Sequence, residues 1–379
     1  MRAQQHPDVI VIGAGVVGLF TAWELADAGL KVLIIDRAVP GREASWAGGG
    51  ILSPLHPWQY PEAVLALSRL SQATYPDIAR QLTDRTGIDP EYTQNGLLIL
   101  EPASVVAAKA WSRQASVAIE ALFEPEIRQR YPGITPAEQA VLLPSVAQIR
   151  NPRLLKALIA LLQKMGVEFL EGTSVECITN ERERVCGVRL AQGSLSAGRV
   201  VVSAGAWSAD IVPFELSVHP VKGQMLLYSS LATPLSVMAL RDDIYLIPRR
   251  DGRILVGSSV ENLGYDKTPT EAIKQRLAEK AQEIFPALAE SRLEAHWAGL
   301  RPGSPDGIPF ICECPGIEGL YLNTGHFRHG LLTAPASARL LTDLVLKRQA
   351  LVDPGSYRWN PGREGCGEFR HPGPVAPRT

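Results

Sequence analysis

The spacing of apolar and polar positions changes several times along the chain, and each change marks an element. Residues 8–12 (Asp-Val-Ile-Val-Ile) are a short β-branched run that reads as a buried strand. Gly13-Ala-Gly-Val-Val-Gly18 follows, and Leu19 to Ala28 has helical periodicity closed by Gly29. Lys31 to Ile35 is a second strand, ended by Asp36. A strand, a glycine-rich turn, a helix and a second strand in this order imply a crossover that leaves the two strands parallel. Val64, Leu67, Leu70, Ile78 and Leu82 predict an amphipathic helix over 61–85, which Pro76 should break or kink. Asn151-Pro152 predicts a helix start, with Asn151 as cap, running to Met165 and stopping at Gly166. Strands are expected around 167–178, 185–190 and 199–203, strand-rich chain over 216–260, and a helix over 270–284. A last apolar helix spans about 331–347, with Pro335 near its start. Residues 351–379 are rich in Pro and Gly, lack apolar periodicity, and are expected to be a disordered tail.

Composition narrows the function classes. With 379 residues, 46% apolar and 20% charged, the chain is long enough for about two domains with sizeable cores. Lys+Arg total 38 against 39 Asp+Glu, so nothing in the charge calls for nucleic acid or an anionic membrane as partner. Cys177, Cys186, Cys312, Cys314 and Cys366 are few and odd in number, which suits a reducing cytoplasm and suggests no disulfide framework. Cys312 and Cys314 have no neighbouring His or second Cys pair and read as small buried hydrophobes on a strand, with no metal expected. The apolar run Val9 to Phe20 is interrupted by glycines and followed by Glu24 and Asp27, and no stretch reaches the ~20 residues of a membrane span.

The candidate chemistry begins at the glycines. G-x-G-x-x-G alone is weak, but here it follows a strand, opens a helix, and precedes an acidic residue at the end of the next strand. Gly13 allows the tight turn, Gly15 the approach of a pyrophosphate to the backbone, and Gly18 close helix–strand packing. Asp36 is placed to accept from an adenosine ribose and disfavours a 2′-phosphate. Two further small-residue segments follow, Gly41-Arg-Glu-Ala-Ser45-Trp-Ala-Gly48-Gly49-Gly50-Ile51 and, after a strand, Ser203-Ala204-Gly205. Gly325-His326-Phe327-Arg328-His329-Gly330-Leu331 then leads into the last helix and offers a second helix N-terminus. Each segment alone reads equally well as a loop. Together they favour FAD over NAD.

Taken with Pro220-Val-Lys-Gly-Gln224, Tyr245-Leu-Ile-Pro-Arg249 and Trp297-Ala-Gly-Leu-Arg301-Pro-Gly303, these segments resemble the D-amino-acid oxidase superfamily of FAD amine oxidases. Within it the resemblance is to the glycine oxidases of thiamine biosynthesis, over about residues 7–350. The resemblance implies an α/β (α+β overall) fold, a Rossmann-like FAD-binding domain interleaved with an antiparallel-sheet substrate domain. By that division 1–87, 146–215 and 299–350 bind FAD, and 88–145 and 216–298 bind substrate. It implies that Arg301 holds the substrate carboxylate, that Tyr245 assists, and that Arg328 lies beside the flavin. It also implies cofactor contacts at Val16, Val17, Asp36, Arg37, Ala44, Ser45, Gly49, Gly50, Ile51 and Val175, and at His326, Phe327, Arg328, His329, Gly330, Leu331 and Leu332. His296 to Asp306 lacks the flavin-linked cysteine of monomeric sarcosine oxidases, so the FAD should be non-covalent. Expected partners are a small amino acid and oxygen, with thiazole synthase and a homo-oligomer, a tetramer by the family's habit, as further implications.

The sequence departs from the pattern at Leu240, where some glycine oxidases have a second active-site tyrosine, and at Val260, where a pocket methionine is expected. Both leave substrate size open, so a broader D-amino-acid or sarcosine-type oxidase stays in view, as does a flavin dehydrogenase with another acceptor. The residue chemistry is self-consistent: a planar guanidinium grips a carboxylate in bidentate fashion, and a fixed carboxylate aims the α-carbon hydrogen at the flavin. Hydride transfer needs no protein base, and none is nominated. Tyr245, in an apolar strand, also reads as an ordinary core tyrosine. Trp46 and Trp207 read as packing near the cofactor, and His56 as a surface histidine.

Overall fold

A computed structural model describes residues 6–231 and 233–359. A six-stranded sheet runs in the order Phe310–Glu313, Leu320–Thr324, Val200–Val202, Val9–Ile12, Val32–Ile35 and Glu168–Leu170. All pairings are parallel except the first, which is antiparallel. Both faces of the central strand are buried: Val9 and Val11 enter one core, Ile10 and Ile12 the other. Covered faces explain why these strands read as unbroken apolar runs. The helices Val16–Asp27, Glu62–Thr86, Asn151–Lys164 and Gly330–Val345 share the first core. A three-stranded antiparallel sheet, Val175–Glu181, Arg184–Leu190 and Gly193–Ser196, supplies part of the second.

The other large sheet has eight strands, in the order Leu293–Gly303, His219–Tyr228, Ile254–Gly257, Ile244–Pro248, Met238–Arg241, Leu97–Ile99, Gln139–Leu143 and Glu120–Phe123. It is antiparallel apart from Met238–Arg241 beside Leu97–Ile99. Helix Glu271–Ile284 covers one face through Leu277, Ala281 and Ile284. The boundary expected between 298 and 299 falls inside strand Leu293–Gly303. That strand stays paired to its end, with Val221 opposite Arg301 and His219 opposite Gly303.

Four local expectations need correction. Helix Glu62–Thr86 runs through Pro76 without a break. Packing holds it: the Tyr75 hydroxyl bonds the Leu331 carbonyl, and Ser71 Oγ accepts from Ala336 N–H at 3.1 Å, beside Pro335 of the facing helix. Asn151 is the first residue of its helix, and Arg150 takes the capping position. His56 is buried, 3.1 Å from Glu101, because the Pro-flanked loop folds inward against Trp58. Pro354–Tyr357 of the expected tail forms a short helical turn; Tyr357 is buried and donates to the Ala63 carbonyl at 2.8 Å. A single aromatic anchor orders this stretch, a signal that composition does not carry. The remainder of that expectation, 360–379, lies outside the described residues.

Cys312 and Cys314 are both buried. Among the described residues no helix is long and apolar enough to cross a membrane.

Candidate active site

A cavity of about 380 Å³ follows the C-terminal ends of the parallel strands and continues onto the eight-stranded sheet. Gly13, Gly15, Val16 and Val17 line it at the start of the first helix, and Asp36 and Arg37 at the end of the second parallel strand. Gly18 does not line it; a Cβ there would sit 1.9 Å from the Gly13 carbonyl oxygen, so its smallness serves helix–turn packing. Gly13 has φ +104° and its own Cβ would lie 2.4 Å from the Ser203 carbonyl oxygen, which leaves only glycine compatible with the turn.

The second glycine segment forms the next wall. Ala44, Ser45, Gly49, Gly50 and Ile51 line the cavity, and Ser45 Oγ accepts from Val16 N–H at 2.9 Å, pinning this segment to the helix start. Two residues not singled out as site residues hold this segment in place. Asn151 Nδ2 donates to the Ser45 carbonyl at 2.8 Å, and Arg249 Nη2 donates to the Gly49 carbonyl at 2.7 Å. Burial lowers the Arg249 guanidinium to about 10. Val175, Ala204 and Gly205 line it as well, as do His326, Phe327, Arg328, His329, Gly330, Leu331 and Leu332.

Asp36 is less free than expected. Its Oδ2 accepts from Ala14 N–H at 2.7 Å and its Oδ1 from Ala38 N–H at 2.9 Å. Each oxygen keeps a second lone pair for a ribose hydroxyl. Burial raises its carboxyl, partly offset by those two N–H groups.

At the far end, Arg301 hydrogen-bonds Ser258 Oγ at 2.8 Å and the carbonyls of Ser259 and Lys222 at 3.1 and 3.3 Å. These partners are neutral. Burial, then the charge of Arg328, lowers the Arg301 guanidinium to about 10, and nearby Tyr245 works the other way. Tyr245 is 8% exposed, and its hydroxyl lies beside Arg301 and 3.5 Å from the weak acceptor Met225 Sδ. Gly49 and Gly257 make room for its ring, since a Cβ would lie 3.1 and 2.7 Å from its Cε2. Arg328 Nε and Nη2 are buried without a hydrogen-bond partner. Two guanidiniums thus share one cavity end with no carboxylate in hydrogen-bond reach among the described residues, a strong local bias toward an anion.

Tyr60, Ser258, Met225 and Asn323 also line the cavity and were not anticipated. Tyr60 stands edge-on to His329 with ring centroids 4.6 Å apart. His326 and His329 are both lowered to about 3 by burial, and stay neutral at any working pH. A relay of buried bonds fixes His326: it meets Thr333 Oγ1 and Asn323 Oδ1, each at 2.9 Å, while Asn323 donates to Thr21 Oγ1 at 3.0 Å. Leu240 is fully buried in the sheet core and Val260 is 41% exposed; neither lines the cavity, so neither enlarges it.

The residues fit an FAD. The groove is long, begins at an acid and a glycine cradle, and passes the N-terminal ends of two long helices, Val16–Asp27 and Gly330–Val345. His329 Nε2 and Ser203 Oγ are buried without partners on its walls. None of the described cysteines lines it.

A parallel sheet with these strand ends, faced by an antiparallel sheet carrying a buried arginine, defines a dinucleotide-dependent oxidoreductase. The chain belongs to the FAD dependent oxidoreductase family (DAO), which it matches over residues 8–344. It is an FAD-dependent enzyme. A glycine oxidase of Pseudomonas aeruginosa is 47% identical over 354 residues, covering 92% of this chain and 97% of the relative. A bifunctional ThiO/ThiG protein of Trichormus variabilis is 32% identical, covering 90% of this chain and 53% of the relative. The crystal structure of glycine oxidase from Geobacillus kaustophilus is similar with a TM-score of 0.90 at 26% identity, covering 94% and 99% of the two chains.

Proposed function

We propose that the protein oxidatively deaminates glycine and other small amines, sarcosine and small D-amino acids among them. With oxygen and water consumed, the products are the 2-oxo acid, hydrogen peroxide and the released amine, ammonia from a primary amino acid and methylamine from sarcosine. The observation that carries this reading is the buried Arg301, bonded only to neutral oxygens and set beside Tyr245 at the end of the groove. The glycine oxidase relatives support the substrate.

In this reading Arg301 takes the substrate carboxylate in bidentate fashion while Ser258 and the Ser259 carbonyl hold the guanidinium in place. Tyr245 donates its hydroxyl to the same carboxylate, exchanging a weak sulfur contact for a charged acceptor. Arg328 adds positive potential at the cofactor end of the pocket, and the neutral His329 offers Nε2 to the cofactor. Bound without a covalent link, FAD would supply the two-electron acceptor, with oxygen as the terminal oxidant. The protein's contribution is positioning: the anchored carboxylate fixes the direction of the α-carbon hydrogen. No side chain is assigned as general base.

The same reading divides the molecule by its sheets. The FAD domain is built from 6–87, 146–215 and the chain after Gly303 to about 350, and the substrate domain from 88–145 and 216–303. The bifunctional ThiO/ThiG relatives support a role in thiamine biosynthesis, supplying imine to a thiazole synthase; a cytoplasmic homo-oligomer completes the proposal. Anaerobic addition of glycine to the FAD-loaded protein tests the substrate. Bleaching of the flavin absorbance is expected, and an unchanged spectrum would refute glycine as donor.

A further inference from the structure

Three residues of the block Pro220 to Gln224 face different tasks, and the cavity uses only Gly223. Lys222 is fully buried; its Nζ donates to the Thr268 carbonyl at 2.5 Å and reaches Asp266 Oδ2 at 3.5 Å. Gln224 Nε2 donates to Glu261 Oε1 at 2.9 Å, and its Oε1 accepts from Thr270 N–H at 2.9 Å. Both side chains therefore fasten the ends of one loop, residues 261–270, which leaves the substrate sheet.

The middle of that loop reaches both banks of the cofactor groove. On one bank, the Tyr265 ring stacks on Trp207 with centroids 5.6 Å apart and planes at 18°. The Tyr265 hydroxyl donates to Asp210 Oδ2 at 2.9 Å and lies 3.2 Å from the Ala206 carbonyl. On the other bank, Lys267 Nζ lies 3.0 Å from both carboxylate oxygens of Glu43. Glu43 also meets Arg37 at 3.4 Å, and the Arg37 guanidinium lies over the Trp207 ring, 3.5 Å from its centroid. Arg37, Glu43, Trp207 and Asp210 all line the groove, whereas Tyr265 and Lys267 do not. The loop thus ties the two walls together from outside. Partial burial and Asp210 push the Tyr265 phenol up to about 12, so it remains a donor.

We propose that residues 261–268 are a clasp for the bound FAD: Tyr265 and Lys267 join the Trp207–Asp210 bank to the Glu43 bank and slow release of the cofactor. This rests on reading the groove as the FAD site. Tyr265 and Lys267 are positioning residues, acting through walls that they do not themselves form. Because Lys267 and Glu43 are partly exposed, salt should weaken their half of the clasp.

The test is the rate of FAD release from diluted holoprotein, followed by the recovery of free-flavin fluorescence. Tyr265→Phe keeps the stack and removes the hydroxyl contacts; Lys267→Ala removes the link to Glu43. The double variant should release FAD about tenfold faster than wild type, equivalent to about 1.4 kcal/mol. Release should speed up with salt in wild type and lose that dependence in Lys267→Ala. The melting temperature of the flavin-free protein should be unchanged. Equal release rates in wild type and double variant would overturn the clasp while leaving FAD binding intact. A flavin-free melting temperature that falls in step with the release rate would also overturn it, because the contacts would then serve the fold alone. Wild type that takes up no FAD would overturn the reading of the groove and the clasp with it.

Discussion

Replacing Gly223 with alanine isolates the position of one guanidinium. Gly223 lies in the sheet opposite Gly299, and its backbone is in a region that any residue adopts, so alanine adds no backbone strain. Its Cβ, however, would stand 2.1, 2.2 and 2.3 Å from Nη1, Nη2 and Cζ of Arg301. Ordinary contact begins near 3.4 Å, so the guanidinium must withdraw by more than about 1 Å. Withdrawal breaks the 2.8 Å bond to Ser258 and the 3.1 Å bond to Ser259 that aim it. The tip of a long side chain yields easily, so folding stability should fall by only about 1 kcal/mol. Catalysis should fall far more, because a 1 Å misplacement of an orienting group costs on the order of 100-fold. We therefore expect glycine kcat/KM, from initial rates of peroxide formation, to drop about 100-fold with FAD content unchanged. If Gly223 acts through Arg301, the double variant Gly223→Ala/Arg301→Ala should be no worse than Arg301→Ala alone. A kcat/KM within about threefold of wild type, or additive losses in the double variant, would refute the reasoning.

Two other outcomes follow from the same geometry. Arg301→Ala should raise the KM for glycine and lower kcat/KM by a factor equivalent to about 2–5 kcal/mol, the cost of leaving one partner of a buried charged pair alone, while the absorbance of bound FAD stays; an unchanged KM for glycine would count against the carboxylate as its partner. Protonation should destabilise the fold in mild acid: His326 and His329 are held near 3 when folded but bind protons near 6.5 when unfolded. The unfolded chain then carries more protons between those values, so stability is full above about pH 6.5 and falls as pH drops toward 3, by at most about 1.4 kcal/mol per unit for each histidine. Thermal melts of wild type and His329→Gln from about pH 7 to about pH 5 check this, and parallel curves would count against it.

Much of the cofactor groove was legible in the sequence because its signals are local. Gly13 to Gly18 sit between one strand and one helix, and Asp36 ends the next strand, so the whole unit falls within a single crossover. The anion site was not local. Arg301, Gly223, Ser258 and Tyr245 come from four different strands or their ends, and only a resemblance joined the first and last before the fold did. Asn151 and Arg249 escaped for the same reason: each acts on a carbonyl about 100 to 200 positions away in the chain. Pro76 and Tyr357 misled because their outcomes depend on tertiary anchors, the Leu331 and Ala63 carbonyls. Local pattern is overridden where packing against a distant helix decides.

A buried, carboxylate-seeking arginine at the end of an FAD groove makes this protein an amine oxidase of small substrates. Peroxide production by the FAD-loaded protein across glycine, sarcosine, D-alanine and D-proline tests it most directly. Oxygen-dependent peroxide is expected with glycine, with one 2-oxo acid formed per peroxide, and no turnover of the corresponding amines that lack a carboxylate. Flavin-bound protein that yields no peroxide from any of the four would contradict it.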